Sequence, residues 1–271
     1  MDDASARPRS ACSTPLICRR CILKAGAFLA AMTTRVAPPS AKEQSNQGRN
    51  RVATAVADRF YSSTVGKKAV MAVSGCILFL FVIGHLIGNL QIYEGPEKLN
   101  RYAVFLRSLP ALLWTVRIVL LVMVVLHIWS SVQLALRNLE ARPAGYIKKK
   151  ATQSSYASRT MYWSGPIILA FVIYHLLDFT FGTVNPHFVE GDVYSNVVAS
   201  FSLIPVSAFY IFAMLLLGMH LYHGLWSMFQ SLGFYHPRYT LALKRMAAVV
   251  AILIAAGNIS IPVAVMAGVV R

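Results

Sequence analysis

Four histidines, His85, His127, His175 and His220, lie well inside apolar stretches of membrane-spanning length. An imidazole in hydrocarbon is costly unless a partner satisfies it. One ring in each of four successive stretches therefore points to a bound metal cofactor, for which neutral imidazole is a common ligand. The plainer alternatives are a hydrogen bond from each ring to a neighbouring helix, or a row of polar groups lining a transport path. His223 sits three residues after His220 in His220-Leu221-Tyr222-His223-Gly224, on nearly the same helix face, and competes with His220 as the ligand. His187 and His236 fall in loops and are set aside.

The elements that must position these rings follow from composition. With 56% hydrophobic and 13% charged residues in 271, the chain is too apolar for one water-soluble core and reads as an all-α, polytopic membrane protein. Five stretches reach the roughly 20 apolar residues a spanning helix needs: about 69 to 92, 110 to 136, 160 to 182, 206 to 231 and 246 to 269. Pro110 starts the second at a tolerated position, Pro262 predicts a kink in the fifth, and Leu99 to Leu109 reads as a short interfacial helix. The connection from Thr183 to Pro205 is the longest on its side.

Lysine and arginine orient the spans, because positively charged loops stay inside. Residues 1 to 68 carry twelve of the 26, Arg137 to Arg159 six, and the turn with Arg238, Lys244 and Arg245 three. The opposite side has four: Lys98, Arg101, Arg107 and Arg271. The N-terminus is thus expected in the cytoplasm and the C-terminus outside, in a cytoplasmic or inner membrane. The net charge of +16 reads as topology, with anionic lipid headgroups or an acidic face of a soluble partner as contacts. Nucleic acid is not expected, since these charges border lipid-length helices.

Residues 1–57 read as a basic, disordered cytoplasmic leader or an overlong gene start, and residues 58–271 as the membrane domain. The apolar patch Cys21 to Met32 is too short to span and imitates a signal-peptide core. Cys12, Cys18, Cys21 and Cys76 make no extracellular disulfide framework. The lone Cys18-x-x-Cys21 lacks the second pair or histidines that zinc needs.

Orientation converts position into depth, at about 1.5 Å per helical residue. His85 lies roughly 24 Å and His175 roughly 22 Å across from the inner surface on outward-running helices. His127 and His220, on inward-running helices, lie roughly 14 to 17 Å from that surface. Two histidines at each of two depths, on alternate helices of a four-helix bundle, match two haems with two axial imidazoles each. With both axial positions filled, such haems carry electrons rather than bind oxygen. Gly84, Gly88, Ser130, Ser131, Gly218 and Gly224 flank the rings; small residues admit a flat macrocycle or serve ordinary helix packing.

With five helices, a histidine in each of the first four, and the segments Gly84-His85-Leu86-Ile87-Gly88-Asn89-Leu90-Gln91-Ile92-Tyr93, Val125-Leu126-His127-Ile128-Trp129, Tyr174-His175-Leu176-Leu177-Asp178 and His220-Leu221-Tyr222-His223-Gly224-Leu225-Trp226, the chain resembles the cytochrome b membrane anchor of succinate dehydrogenase and fumarate reductase. The closer likeness is to the single-chain, five-helix anchor carrying two haems b, over about residues 58 to 271. The resemblance implies that His85 and His175 ligate the distal haem, and His127 and His220 the proximal one. It also implies a flavoprotein and an iron–sulfur subunit on the cytoplasmic face, with electrons passing through the haems to a quinone, menaquinone, at the outer side. Nothing in this chain binds flavin or dicarboxylate, so the reaction on succinate belongs to a partner.

Quinone reduction consumes two protons, so a titratable or hydrogen-bonding group should stand near the ring. The candidates are Asp178, Glu94, Glu97, Arg101 and Tyr102; Asp178, one turn beyond His175, is the acidic residue within a span, and its plain alternative is pairing with an interfacial cation. Lys67, Lys68, Arg137 and Arg159 lie near the inner surface, as haem-propionate partners or as helix-end anchors. Competing readings are the dihaem anchor of another quinone-linked dehydrogenase and a transporter or proton channel without haem. The cytochrome b of a quinol:cytochrome c oxidoreductase is disfavoured, because no span holds two histidines about 14 residues apart.

Overall fold

A computed structural model of the chain describes residues 40–141 and 156–271. Cys12, Cys18, Cys21, the patch ending at Met32 and the run Lys148 to Lys150 lie outside the described residues. The described elements are α1 (Ala41–Ser62), α2 (Thr64–Asn89), a 3-10 turn (Leu90–Glu94), α3 (Pro96–Arg107), α4 (Pro110–Glu140), α5 (Tyr156–Phe179), α6 (Val193–Phe201), α7 (Ile204–Ser231) and α8 (Pro237–Met266). Five helices are long and apolar enough to cross a membrane: α2 with the 3-10 turn, α4, α5 from Arg159, α7 and α8. Among the described residues there is no strand.

The helices overrun the apolar stretches, because hydrophobicity marks the length in lipid whereas backbone hydrogen bonding continues through polar ends. α8 shows this most. It begins at Pro237, well before residue 246, because His236 caps it, Nδ1 accepting from the Arg238 amide at 3.1 Å. Pro237 at the first turn loses no hydrogen bond. Gly268, at φ 71°, lets the amide of Val269 return to the carbonyl of Ala264 and closes the other end. α8 runs through Pro262 as one helix.

Helix also begins at Ala41, inside the stretch expected to be disordered, over a run without proline. The contacts divide the chain after Val56, and residues from Ala57 onward form one compact unit. Within it, Ser63 caps α2 by accepting from the Gly66 amide at 2.9 Å. A Cβ on Gly66 would lie 1.9 Å from the carbonyl oxygen of Phe60, so only glycine permits this turn.

α7 is the hub, packing against α2, α5 and α8; α4 packs on α2, and α8 also touches α2. α2, α4, α5 and α7 thus form an open square in which α4 and α5 make no comparable contact. Its end beside the 3-10 turn is closed by a core of Ile92, Leu99, Phe201, Tyr210, Met214 and Ile261. The expected interfacial helix is α3, three residues earlier than its apolar run, and the long connection between α5 and α7 contains α6. Asn100 ties these two: its amide donates to Asp192 at 2.8 Å and its oxygen accepts from the Tyr194 amide at 3.0 Å. Trp114, Leu121, Trp163, Ile252 and Leu253 are exposed along the spans, a surface suited to lipid tails rather than water.

Candidate functional site

The four intramembrane histidines meet as two pairs. His85 of α2 faces His175 of α5, with ring centroids 5.7 Å apart and planes at 89°. His127 of α4 faces His220 of α7 at 6.3 Å and 59°. These are the partners that the depth count joins. Both pairs meet across the diagonals of the square, between helices that are not packed together as neighbouring helices are. His220, not His223, is the ring beside His127; the carbonyl of His223 accepts the hydroxyl of Ser227.

Among the described residues no hydrogen bond joins the two rings of either pair. Nδ1 of His175 and of His220 is buried without a hydrogen-bond partner. Satisfaction by a neighbouring helix therefore accounts for His127 alone, whose Nδ1 lies 3.2 Å from the carbonyl of Met71 and 3.4 Å from Oγ of Ser74. A carbonyl only accepts, so Nδ1 of His127 carries the proton and Nε2 keeps its lone pair, the tautomer of a metal ligand.

The separations suit a metal between the rings. Two metal–nitrogen bonds of about 2 Å, with roughly 1 Å from each nitrogen to its ring centre, make about 6 Å. Among the described residues no group of three or more His, Cys, Asp and Glu could hold an ion. Two imidazoles do not complete the shell of a bare ion, so a metal here must bring its other ligands, as a haem does. Phe81 stacks on His85 at 5.3 Å, and Phe171 and Phe179 flank His175 at 5.8 and 5.5 Å, which keeps the His85–His175 pair in an aromatic, low-dielectric setting.

The flanking small residues divide by use. A Cβ on Gly84 or Gly224 would meet no protein atom within 4 Å, so both border open space. Gly218 instead packs against Ala255, and Gly88 receives the ring of Tyr102. Ser130 is fully buried with Oγ unpartnered, and Ser131 donates to the carbonyl of Ile128. Gly75, not singled out from the sequence, is where α2 admits His127: a Cβ there would lie 3.1 Å from Cε1 of that ring.

The proton-donor candidates separate. Asp178 is 1% exposed, and its Oδ2 accepts from Ser200 at 2.7 Å and Tyr210 at 2.8 Å; these hydroxyls, rather than an interfacial cation, satisfy it. Arg101 and Tyr102 line an open cleft with Gln91, Lys98 and Phe105. Glu94 pairs with Lys98 at 3.4 Å on the exposed surface, and Glu97 lies in the first turn of α3. Tyr210 and Ser200 had one legible signal, their hydroxyls within apolar segments, but nothing in spacing tied them to Asp178.

Of the cations expected at the inner surface, Lys67 is buried, Arg137 half-buried, and Lys68 and Arg159 exposed. Outside the spans, Asp192 caps α6, and hydrogen bonds from Ser195 and Asn100 hold its carboxyl below the ordinary carboxylate range. No protein-family model, curated protein or solved structure matches the chain.

Proposed function

We propose that the chain is the membrane-anchor cytochrome b subunit of a succinate:quinone oxidoreductase, of the succinate dehydrogenase and fumarate reductase type. The observation that carries this reading is the meeting of His85 with His175 and of His127 with His220 across the diagonals of one bundle, at separations an axially ligated metal would span.

In this reading His85 and His175 hold the outer haem b, and His127 and His220 the inner one. The haems, when bound, supply one-electron redox chemistry. The chain's own residues do the rest. The imidazoles of each pair would hold the haem iron, the Met71 carbonyl fixes the tautomer of His127, and Phe81, Phe171 and Phe179 exclude water from the His85–His175 pair. The quinone, menaquinone, is assigned to the outer cleft, where Arg101 and Tyr102 can hydrogen-bond its oxygens and Phe105 can contact its ring. The flavoprotein and iron–sulfur subunits dock on the cytoplasmic side, where the positively charged loops and the N-terminus lie.

The test is a reduced-minus-oxidised spectrum of the purified complex. A b-type α-band with two components of different potential is expected; its absence under conditions that preserve the complex would refute the assignment.

A further inference from the structure

Lys67 stands out among the cations at the inner end of the bundle. It is 5% exposed, yet the ion pair of the described residues is Lys98 with Glu94, far along the chain. Its ammonium has three protons. One goes to Oε1 of Gln133 on α4, and the face of Tyr61 lies 4.4 Å away, but no carboxylate among the described residues neutralises the charge. Arg137 adds positive charge nearby, and the hydroxyl of Tyr61 is buried without a partner. A buried cation beside an unpartnered hydroxyl is a half-built anion site, because burying a charge unpaired is costly.

Position says which anion. Lys67 precedes Met71 by one helical turn, about 6 Å, and Met71 is the residue whose carbonyl receives Nδ1 of His127. The cation therefore sits one turn inward of the inner histidine pair. A haem carries two propionate carboxylates within that reach. The burial of Lys67 argues against an acidic side chain arriving from a soluble subunit, which would meet the exposed Lys68 first.

Building on the haem-binding reading above, we infer that Lys67, with Gln133 and the Tyr61 hydroxyl, binds a propionate carboxylate of the inner haem. This contact turns the haem's polar edge inward. It also raises that haem's reduction potential, because a fixed cation favours the added electron.

The experiment is a redox titration of the purified full complex, followed at the b-type α-band, with His127→Ala used to identify the inner component. Lys67→Met is expected to shift the inner component's reduction equilibrium about tenfold toward the oxidised form, ~59 mV for one electron, and leave the outer component in place. Lys67→Arg should recover most of the shift, and Gln133→Leu should give a smaller one of the same sign. An unmoved inner component, or equal movement of both, overturns the inference. So does loss of the soluble subunits with both potentials unchanged, which would assign the carboxylate to a partner. Should Lys67→Met fail to accumulate, Gln133→Leu and Tyr61→Phe decide, and no shift in either overturns the inference. A wild-type complex without b-type absorption removes the haem reading itself, so the two failures are told apart.

Discussion

The hydroxyl of Tyr210 donates to Asp178 at 2.8 Å while the same ring meets His175 edge-on, 6.1 Å between centroids. One side chain thus satisfies a buried carboxylate and braces an imidazole of the outer pair. Ser200 of α6 donates to the same oxygen, so Asp178 joins α5, α6 and α7. Tyr210→Phe keeps the ring and removes the bond. It should destabilise the protein by about 1–3 kcal/mol in thermal unfolding in detergent, and still bind the outer haem. Asp178→Leu, which strands both hydroxyls, should cost more.

The histidine pairs predict a pattern of spectral loss. His127→Ala and His220→Ala should each remove the same component of the b-type spectrum, and His85→Ala and His175→Ala the other. His223→Ala should retain both. Loss confined to the outer component in His127→Ala would show the pairing to be wrong.

In the haem-binding reading, two glycines separate support of a ring from space for the cofactor. Gly75→Val places carbon against His127, which a Cβ alone already approaches to 3.1 Å, and should cost the inner component. At Gly224, one turn beyond His220, a Cβ meets no protein atom within 4 Å. Gly224→Leu should therefore leave the helix content by circular dichroism unchanged, yet lower the haem content measured by pyridine haemochrome.

The connection between α5 and α6 should respond to acid. Asp192 has its carboxyl pKa depressed from 3.8 in the folded chain, chiefly by hydrogen bonding from Ser195 and then from Asn100. A depressed carboxylate contributes stability that is fully present above the unfolded pKa and is lost as pH falls through the lower folded value. Protease cleavage between α5 and α6 should accordingly rise as pH drops below about 4. Asp192→Ala should raise cleavage already at neutral pH, by a cap loss of about 1 kcal/mol, and flatten the acid response.

The five spans and the matching of the histidines by depth were legible from the residues without the packing. Both are local properties. Lipid length is read from consecutive apolar residues, and depth from a constant rise per residue, so His85 could be matched with His175 and His127 with His220 without knowing how the helices pack. The helix ends were less legible, because caps such as His236 and turns such as Gly66 lie outside the apolar pattern. Packing in three dimensions added that the pairs meet across diagonals, that His220 rather than His223 faces His127, that Asp178 is held by Ser200 and Tyr210, and that Lys67 is buried whereas Lys68 and Arg159 are exposed. Those facts depend on the rotation of each helix about its axis. Hydropathy constrains that rotation poorly when lipid and protein interior are both apolar, so packing between helices sets it.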